Sequence, residues 1–418
     1  MEEAESAGYG GAGLSISASM DESVRFAVGR ALVPFGARVC SSSSFVDPEG
    51  TPMAWHDFGC LEGPGWAANA VGGAYELHLH ARRRGDERQR SLAVSLLDHV
   101  LEDGFVDRET GFVTGYRDTR TGEPYLNFKH DRRWFCSGSM ARIGCQMLAF
   151  SDHLDQRRRD ALRAVASAMA GWLCRCVPDA SNGWYPRRCA PSGEPFGERA
   201  EGGDDPLKAG SADGLFIVQL MTDLSARGLA DYRGKVRQKV EAFMGAGGIY
   251  GSINHDTYDA HECVSYAAGF RVLLRAARLL GDEGVRRFAY RSALAGLDRF
   301  KMAEDRNGVR TAGLLFMEES WDTAYLWENA EASLAYLEAA ADSLDASFRA
   351  EAVKILRAIA LHHHGEHGFL TEGVDWNNHV GAEHHIGGTQ YGDIRYTEPL
   401  LNNLHIVEPT LIALESMT

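Results

Sequence analysis

Apolar and polar positions alternate along this chain in blocks that favour pairs of helices. In one member of each pair, apolar residues recur at helical spacing on a single face, as Tyr232, Val236, Val240 and Phe243 do. The other member is rich in Gly, Ala and Ser and carries little charge after its first turn. The first kind is typical of helices on the outside of a helical ring. The second is typical of inner helices that contact neighbours on several sides.

Reading the pattern in order gives a repeated unit, in which short Gly-aromatic or Gly-aliphatic arms follow the outer helices. The helix pairs it predicts span 63–81 with 86–101, 137–153 with 156–176, 211–227 with 230–244, 260–280 with 283–302, and 322–341 with 346–363. A last helix at 398–414 has no partner after it. Asp21 can cap a helix that runs to about Leu32, and pairing these two would close a ring of six inner and six outer helices.

Length and composition agree with one large helical unit. The chain has 418 residues, of which 44% are hydrophobic and 24% charged, so it can bury a large core. Residues 1–19 are acidic and rich in Gly and Ser, and we expect them to form a flexible segment before a single domain at 20–418. They lack the basic start and apolar run of a secretory signal, and the sequence predicts a cytoplasmic protein.

Charge and cysteine content exclude several kinds of partner. The net charge of −15 argues against nucleic acid, because phosphate binding requires clustered Lys and Arg. No apolar window is long enough to span a bilayer, so no membrane partner is expected. The eight cysteines form neither a zinc knuckle nor a CxxC motif, and they are expected to be reduced core residues.

The order of parts resembles the (α/α)6 barrel of many glycoside hydrolases, polysaccharide lyases and sugar epimerases, over nearly the whole chain. The segment 327–332, Trp-Glu-Asn-Ala-Glu-Ala, also looks like the Trp-x-Gln-Ala-Glu-Ala segment of the N-acylglucosamine 2-epimerase family, with Asn329 in place of Gln. No clear counterpart of that family's late catalytic-histidine segment is found. The resemblance implies an all-α toroid with short β arms, a small saccharide substrate and no cofactor.

In such barrels the starts of the inner helices surround one cavity, and helix N-termini favour carboxylates. Cleavage of a glycosidic bond requires a proton donor and a second carboxylate, so acids at these starts are the candidate catalysts. The candidates are Asp322 and Glu262, with Asp213 and Glu398 in reserve. Each could instead serve as a helix cap or first-turn acid.

Aromatic and polar residues near the same helix starts are candidate sugar-binding groups, because Trp rings stack on sugar faces. They are Trp66, Trp134, His261, Trp321 and Glu328. The long loop 362–397 is expected to form a rim over the cavity, with candidates Trp376, His384, His385, Tyr391 and Asp393. Its histidine spacing matches no zinc signature, and no metal site is predicted. Glu331 is expected to form a buried salt bridge.

Three functions remain open at this point. The leading one is a glycoside hydrolase that cleaves short oligosaccharides. The second is a sugar epimerase or isomerase of the N-acylglucosamine 2-epimerase type, which requires a histidine acid/base pair and no water. The third is a glycan-binding or structural toroid without catalysis, which would not require acids to converge at one end.

Overall fold

The computed structural model describes residues 13–180, 182–196, 211–254, 259–318 and 323–415, which are mostly helical. In chain order the α-helices are α1 (Ile16–Phe26), α2 (Ala70–Arg84), α3 (Glu87–Glu102), α4 (Ser137–Ser151), α5 (Gln156–Cys176), α6 (Leu215–Ala226), α7 (Arg233–Gly245), α8 (Cys263–Leu280), α9 (Glu283–Phe288), α10 (Leu326–Ser343), α11 (Ala346–Ala360) and α12 (Val407–Glu415). None of these described helices is long and apolar enough to cross a bilayer.

Short antiparallel strands occupy the loops between the helices. They are β1 (Leu32–Phe35), β2 (Arg38–Ser41), β3 (Leu61–Glu62), β4 (Tyr116–Asp118), β5 (Pro124–Tyr125), β6 (Phe135–Cys136), β7 (Arg188–Cys189), β8 (Thr323–Tyr325), β9 (His363–His364), β10 (Phe369–Leu370), β11 (Gly373–Asp375) and β12 (Gly392–Asp393). They pair as β1-β2, β3-β4-β5, β6-β7, β9-β10 and β8-β11-β12. The strands therefore form arms rather than a continuous sheet.

The even-numbered helices form a closed inner ring. Each contacts the even-numbered helix before and after it, and α12 contacts α2. Helices α3, α5, α7, α9 and α11 each pack against the inner helix that precedes them, and α1 packs against α12. One apolar cluster extends from Ile16 in α1 to Ala413 in α12, so both ends of the described chain share a core. The predicted ring of six helix pairs is confirmed.

Inner and outer helices begin in different ways. Each of the outer helices α3, α5, α9 and α11 begins after an Asp whose side chain accepts a hydrogen bond from a first-turn backbone N–H: Asp86, Asp155, Asp282 and Asp345. Among the described residues, the ones that precede α2, α4, α6, α8 and α10 provide no such side-chain cap. The inner helices instead follow arms and turns, and this end of the ring is where the upper pocket described below lies.

Several predicted helix starts are therefore too early. The predicted helix at 63–81 begins at Ala70, after a turn in which Asn69 is left-handed (φ 46°). The helix predicted from 398 begins at Val407, because 399–406 form turns. At the N-terminus the error is reversed: α1 begins at Ile16, where Ser15 accepts from the Ala18 N–H at 3.1 Å, and Asp21 lies inside the helix. The predicted Asp21 cap is wrong, and residues 16–19, which the sequence placed in the N-terminal segment, belong to α1.

The long loop after α11 is more ordered than the sequence indicates. It contains β9, β10, β11 and β12, and β11 pairs with β8, the strand that leads into α10. Residues 372 and 396 are joined by a backbone hydrogen bond of 3.0 Å from Glu372 N to Tyr396 O. The loop is thus tied to the start of an inner helix.

Ring closure by α1 generates the first prediction. Met20 and Val24 are buried in the shared core, whereas Arg25 on the same helix is exposed. Met20→Ala should lower the free energy of unfolding by about 2–5 kcal/mol, because it removes buried methylene groups and leaves a cavity. Chemical denaturation measures this, with Arg25→Ala as the matched control. Equal stability of the two variants would show that α1 is not part of the closed ring.

Candidate active site

A first pocket, which we name the upper pocket, lies where arms and loops lead into the inner helices. It has an empty volume of about 440 Å³ and is lined by Phe58, Trp66, Ala67, Tyr116, Phe128, Asn254, Tyr325, Trp327, Glu372 and Glu398. The sequence predicted two of these residues, Trp66 and Glu398. It did not predict Glu372, whose only signal was an acid directly after the arm 368–371.

The two carboxylates of the upper pocket are held by the loop that follows α11. Both side chains are buried. The Glu372 carbonyl accepts from Leu326 N at 3.0 Å, and Asn402 Nδ2 donates to Glu398 Oε2 at 3.2 Å. Burial raises the pKa of the Tyr396 phenol, and the carboxylates of Glu372 and Glu398 raise it further. The two acids are therefore close enough to act on the same tyrosine.

Aromatic residues form the floor of the upper pocket. The Trp66 ring centroid lies 5.6 Å from those of Trp327 and Phe216, with both pairs edge to face. Trp66 and Trp327 line the upper pocket and also a second, deeper cavity. These two rings therefore lie between the two spaces, where a sugar ring in either space could stack on them.

The second cavity, which we name the deep cavity, runs between the inner helices. It has an empty volume of about 730 Å³ and is lined by Trp66, Gly72, Tyr75, Glu76, Arg142, Cys145, Gln146, Ala149, Phe216, Gln219, Val264, Arg271, Arg275, Trp327, Glu331, His405 and Glu408. Most of its polar residues lie one or more turns inside a helix. Sequence reasoning concentrated on helix starts and did not find them.

His405 stands between two carboxylates on the wall of the deep cavity. Its Nδ1 lies 2.8 Å from Glu76 Oε1, and its Nε2 lies 2.9 Å from Glu331 Oε2. Both ring nitrogens face carboxylate oxygens, an arrangement that favours the imidazolium, in which both nitrogens donate. Burial alone would lower the pKa of His405, but the two carboxylates outweigh burial and raise the pKa to about 9.

The two carboxylates differ in their surroundings. Burial raises the pKa of Glu76, which His405 opposes, and Glu76 Oε2 has no hydrogen-bond partner among the described residues. Burial would also raise the pKa of Glu331, but the adjacent Arg271 and His405 hold it well below its usual range. The expected buried salt bridge of Glu331 is thus present. Of the two carboxyl groups, Glu76 has the raised pKa and is therefore better suited to take up and release a proton.

Further ion pairs fix the position of Arg271. Its Nε donates to Glu338 Oε1 at 2.9 Å, and Arg275 Nη2 donates to the same oxygen at 2.7 Å. Arg275 also lies 3.8 Å from Asp223. This chain of alternating charges connects α8 with α10 and α6. It holds the guanidinium that in turn orients Glu331.

The two candidates that directly precede α8, Glu262 and His261, make contacts with nearby residues. Glu262 is fully buried and accepts from the backbone N–H groups of Ile253 and Asn254 and from Ser265 Oγ, the last at 2.9 Å. His261 Nδ1 lies 2.7 Å from the Tyr266 hydroxyl. These contacts link both residues to the turn before α8 or to its first turns. Their predicted roles in catalysis and binding stay predictions.

Asp213 lies in the short turn before α6 and is fully buried. Ser211 Oγ donates to Asp213 Oδ1 at 2.6 Å. The turn approaches α4 closely: a Cβ at Gly138 would lie 2.0 Å from the Asp213 carbonyl oxygen, so only glycine fits there. Burial raises the pKa of the Asp213 carboxyl to about 6, although Arg187 opposes the shift. Its environment is that of a packing position between two inner helices.

The remaining candidates outside the long loop are placed as follows. Trp134 is buried, with the Arg188 guanidinium 4.1 Å from its ring centroid. Glu328 Oε1 accepts from Asn254 Nδ2 at 2.6 Å, which places Glu328 beside a residue of the upper pocket. Trp321 and Asp322 lie outside the described residues, so their predicted roles stay predictions.

In the long loop, several candidates support the fold of the loop itself. His385 is buried, with Nδ1 2.7 Å from the Thr389 carbonyl oxygen and Nε2 3.1 Å from Asp375 Oδ2. Asp393 Oδ1 lies 2.7 Å from Nδ1 of the buried His362. These contacts engage both ring nitrogens of His385 and one carboxylate oxygen of Asp393, and the predicted sugar-binding roles of the two residues stay predictions.

Three further loop candidates are more varied in exposure. Trp376 is buried, and its carbonyl oxygen accepts from Asn307 Nδ2 at 2.6 Å. Tyr391 is half-buried against the main apolar core. His384 is half-buried and stacks on the exposed Trp55, with ring centroids 4.8 Å apart. Of the three, His384 is the one on an accessible rim.

One group of side chains has the composition of a metal site. Donor atoms of Cys40, Glu62 and His99 lie within 4.8 Å of one another, and all three residues are buried. However, Arg117 Nη2 lies 2.6 Å from Glu62 Oε1 and 2.9 Å from His99 Nε2. Burial also raises the pKa of the Cys40 thiol to about 12, which disfavours the thiolate that metals bind. The guanidinium therefore supplies the positive charge of this group.

Comparison with known proteins establishes the fold. No family model and no curated protein matches the chain. A D-mannose isomerase matches with a TM-score of 0.64, 10% identity and coverage of 96% of this chain and 97% of that chain. A cellobiose 2-epimerase from Spirochaeta thermophila matches with a TM-score of 0.63, 14% identity and coverage of 96% of both chains. A family 76 glycoside hydrolase (mannosidase) from Bacteroides thetaiotaomicron matches with a TM-score of 0.55, 11% identity and coverage of 96% of this chain and 99% of that chain. The chain thus has the (α/α)6 barrel fold.

The environment of Asp213 generates a prediction on stability. Its folded pKa, about 6, exceeds its ordinary value of 3.8, so its contribution to stability is present at acid pH and is lost as the pH rises through 6. Asparagine does not ionise, so the Asp213→Asn variant does not lose this stability as the pH rises. The variant should gain on the order of 2–3 kcal/mol relative to the unchanged protein between pH 4 and pH 7.5.

Chemical denaturation of both proteins at several pH values measures this difference directly. Asp231→Asn is a suitable control, because Asp231 is exposed on the surface. A stability difference for Asp213→Asn that does not change with pH would show that burial does not perturb this carboxyl.

Proposed function

We propose that this chain is a sugar epimerase or isomerase, an enzyme that moves a proton on a carbon next to a sugar carbonyl group. The observation that carries the proposal is His405, held between Glu76 and Glu331 on the wall of the deep cavity. Such reactions require proton-transfer groups beside the sugar and no water as a reactant. The sequence left this function as an alternative, and the cavity now favours it.

In the proposed reaction an open-chain aldose lies in the deep cavity with its C2 beside Glu76. The Glu76 carboxylate takes the proton from C2, and the electron pair of the C–H bond passes into an enediolate. If the enediolate turns its other face of C2 toward Glu76, return of the proton to C2 gives the epimer. Delivery of the proton to C1, with transfer of the proton of the C2 hydroxyl to the C1 oxygen, gives the ketose. Burial raises the pKa of Glu76 and so makes it a stronger base.

The neighbours of Glu76 have distinct roles in this proposal. His405 donates to Glu76 Oε1, and we assign the proton transfer to Glu76 Oε2, a buried atom without a hydrogen-bond partner among the described residues. The positive charge of His405 opposes the negative charge of the enediolate. Glu331 and Arg271 hold the imidazolium in place and are positioning residues. Trp66 and Trp327 offer ring faces or edges to the carbons of the sugar.

Hydrolysis is disfavoured at this pair of carboxylates. A glycosidase requires its two carboxyl groups on either side of the scissile bond. Here the imidazole ring of His405 fills the space between Glu76 and Glu331 and bonds to both. No glycosidic bond can lie between them while that arrangement persists.

The comparisons suggest which sugars to test first. The structures similar to this chain include a cellobiose 2-epimerase and a D-mannose isomerase. The segment 327–332, which resembles the N-acylglucosamine 2-epimerase family, contains Glu331. Cellobiose, D-mannose and N-acetylglucosamine are therefore the first substrates to try.

A glycoside hydrolase remains a second candidate, because the upper pocket contains the two carboxylates Glu372 and Glu398 above a tryptophan floor. Under this reading the acid and base come from the upper pocket or from the sequence candidates Asp322 and Glu262. This alternative is tested by release of nitrophenol from aryl-glycosides, with Glu398→Gln as the test variant. A glycan-binding toroid without catalysis would show neither hydrolysis nor isomerisation.

The central prediction of this proposal concerns proton exchange with solvent. In D₂O the protein should incorporate deuterium at C2 of at least one of these sugars, as followed by NMR. Glu76→Gln should lower the rate about 10²- to 10⁴-fold, because it removes the group that takes the proton. His405→Gln should also slow exchange, since it removes the positive charge that opposes the negative charge of the enediolate.

Glu62→Gln is the matched control, because Glu62 is also a buried carboxylate in an ion pair but does not line the deep cavity. It should keep the exchange rate if it folds, as judged by circular dichroism. A folded Glu76→Gln variant that exchanges deuterium at the normal rate would contradict the assignment of Glu76.

A further inference from the structure

Arg142, in the second turn of α4, is a buried cation on the wall of the deep cavity. Its Nη1 donates to Asn69 Oδ1 at 3.1 Å, and its Cζ lies 4.3 Å from the Trp66 ring centroid. These contacts fix the plane of the guanidinium. The other N–H groups of Arg142 make no hydrogen bond within the described residues, and they remain for a ligand in the cavity.

The other cations of the deep cavity each have a carboxylate partner. Arg271 pairs with Glu331, Arg275 with Glu338, and His405 with Glu331 on one side. Arg142 forms no ion pair with any carboxylate in the described part of the chain. Buried charges are normally paired, so a buried guanidinium without a counter-ion that faces a cavity is typical of a site that awaits an anion.

We propose that the deep cavity binds a sugar that carries a negative charge, as a carboxylate or a phosphate ester, and that Arg142 binds this charge. The inference rests on the proposed function in one respect, namely that the sugar occupies the same cavity. It adds the substrate class, which neither the fold nor the similar structures specify.

The chemistry of the site supports an anionic group. A guanidinium presents its N–H groups in a flat fork that matches a carboxylate or phosphate, and the stack on Trp66 leaves this fork free at the edge. Burial lowers the pKa of Arg142 because the cation has lost solvation, although Glu331 and Glu76 oppose this shift. An anionic ligand would restore the lost solvation.

Three carboxylates line the cavity; Glu408 accepts from the Tyr75 hydroxyl at 3.0 Å, and the other two have cationic partners. Glu331 is neutralised by Arg271 and shares His405 with Glu76. Gln146 Nε2 donates to Asn69 Oδ1 at 2.9 Å, which supports the same Asn69 oxygen that orients Arg142. The unpaired positive charge of the cavity therefore lies at Arg142. This residue lies on one side of the Trp66 ring, on which a sugar could stack.

Binding measured by isothermal titration calorimetry tests the proposal without any need for turnover. The probes are D-glucuronate, D-glucose 6-phosphate and D-glucose, titrated at low and at high salt. At low salt, one of the two anions should bind the unchanged protein about 10- to 100-fold tighter than glucose. The anion that does so identifies carboxylate or phosphate as the preferred group.

Arg142→Gln should remove this preference and leave the affinity for glucose nearly unchanged, whereas Arg142→Lys should keep part of it. Arg120→Gln, at an exposed arginine outside the cavity, is the matched control. If Arg142→Gln does not fold, the preference of the unchanged protein and its partial retention in Arg142→Lys decide the matter.

Failure of both anions to bind, or affinities equal to that of glucose, would overturn the proposal. This outcome is distinct from failure of the proposed function. Deuterium exchange on neutral sugars without a preference for anions would retain the epimerase or isomerase and reject the anionic substrate. Tight binding of an anion without deuterium exchange would retain the anionic ligand and reject the epimerase or isomerase.

Discussion

The buried imidazolium of His405 is the interaction on which the centre of the barrel depends. It joins Glu76 of α2 to Glu331 of α10 from the turn that leads into α12, and so links the first inner helix to the last two. Ion pairs then continue to α8 and α6 through Arg271, Glu338 and Arg275. Closure of the inner ring and the polarity of its cavity therefore have one physical basis.

Such a network is expensive to bury. Removing charges from water costs several kcal/mol for each ion, and well-packed apolar residues would often stabilise the same space as well or better. A toroid that served only as a scaffold would gain little from a histidine between two glutamates. Chemistry that requires a proton held at a fixed position explains the network better, which is the basis of the proposed epimerase or isomerase.

The sequence predicted the order of the helices because that order depends on local patterns. Four of the outer helices, α3, α5, α9 and α11, have an Asp cap, and α5, for example, matches its predicted range of 156–176. Predicted inner starts were less accurate, since turns and arms such as the one around Asn69 precede these helices and share their small-residue composition. The candidate acids chosen at those starts, Asp213 and Glu262, are engaged by nearby backbone or hydroxyl groups.

The residues of the deep cavity could not be found in this way. Glu76 and His405 are separated by 329 positions, and Glu331 and His405 by 74, so only the closed ring brings them together. Within their own helices, Glu76 and Arg271 resemble ordinary polar positions of an amphipathic helix. Glu331 alone carried a local signal, because a carboxylate among apolar residues requires a partner.

The measurement that tests this account most directly is the protonation state of His405 in solution. Nitrogen-15 NMR of histidine-labelled protein, assigned by comparison with His405→Gln, reports whether both ring nitrogens carry a proton. The account predicts an imidazolium at pH 7.5 that loses its proton near pH 9, with a lower pKa in Glu331→Gln. A neutral His405 at pH 7.5, with an ordinary pKa near 6.5, would contradict the central role of the paired imidazolium.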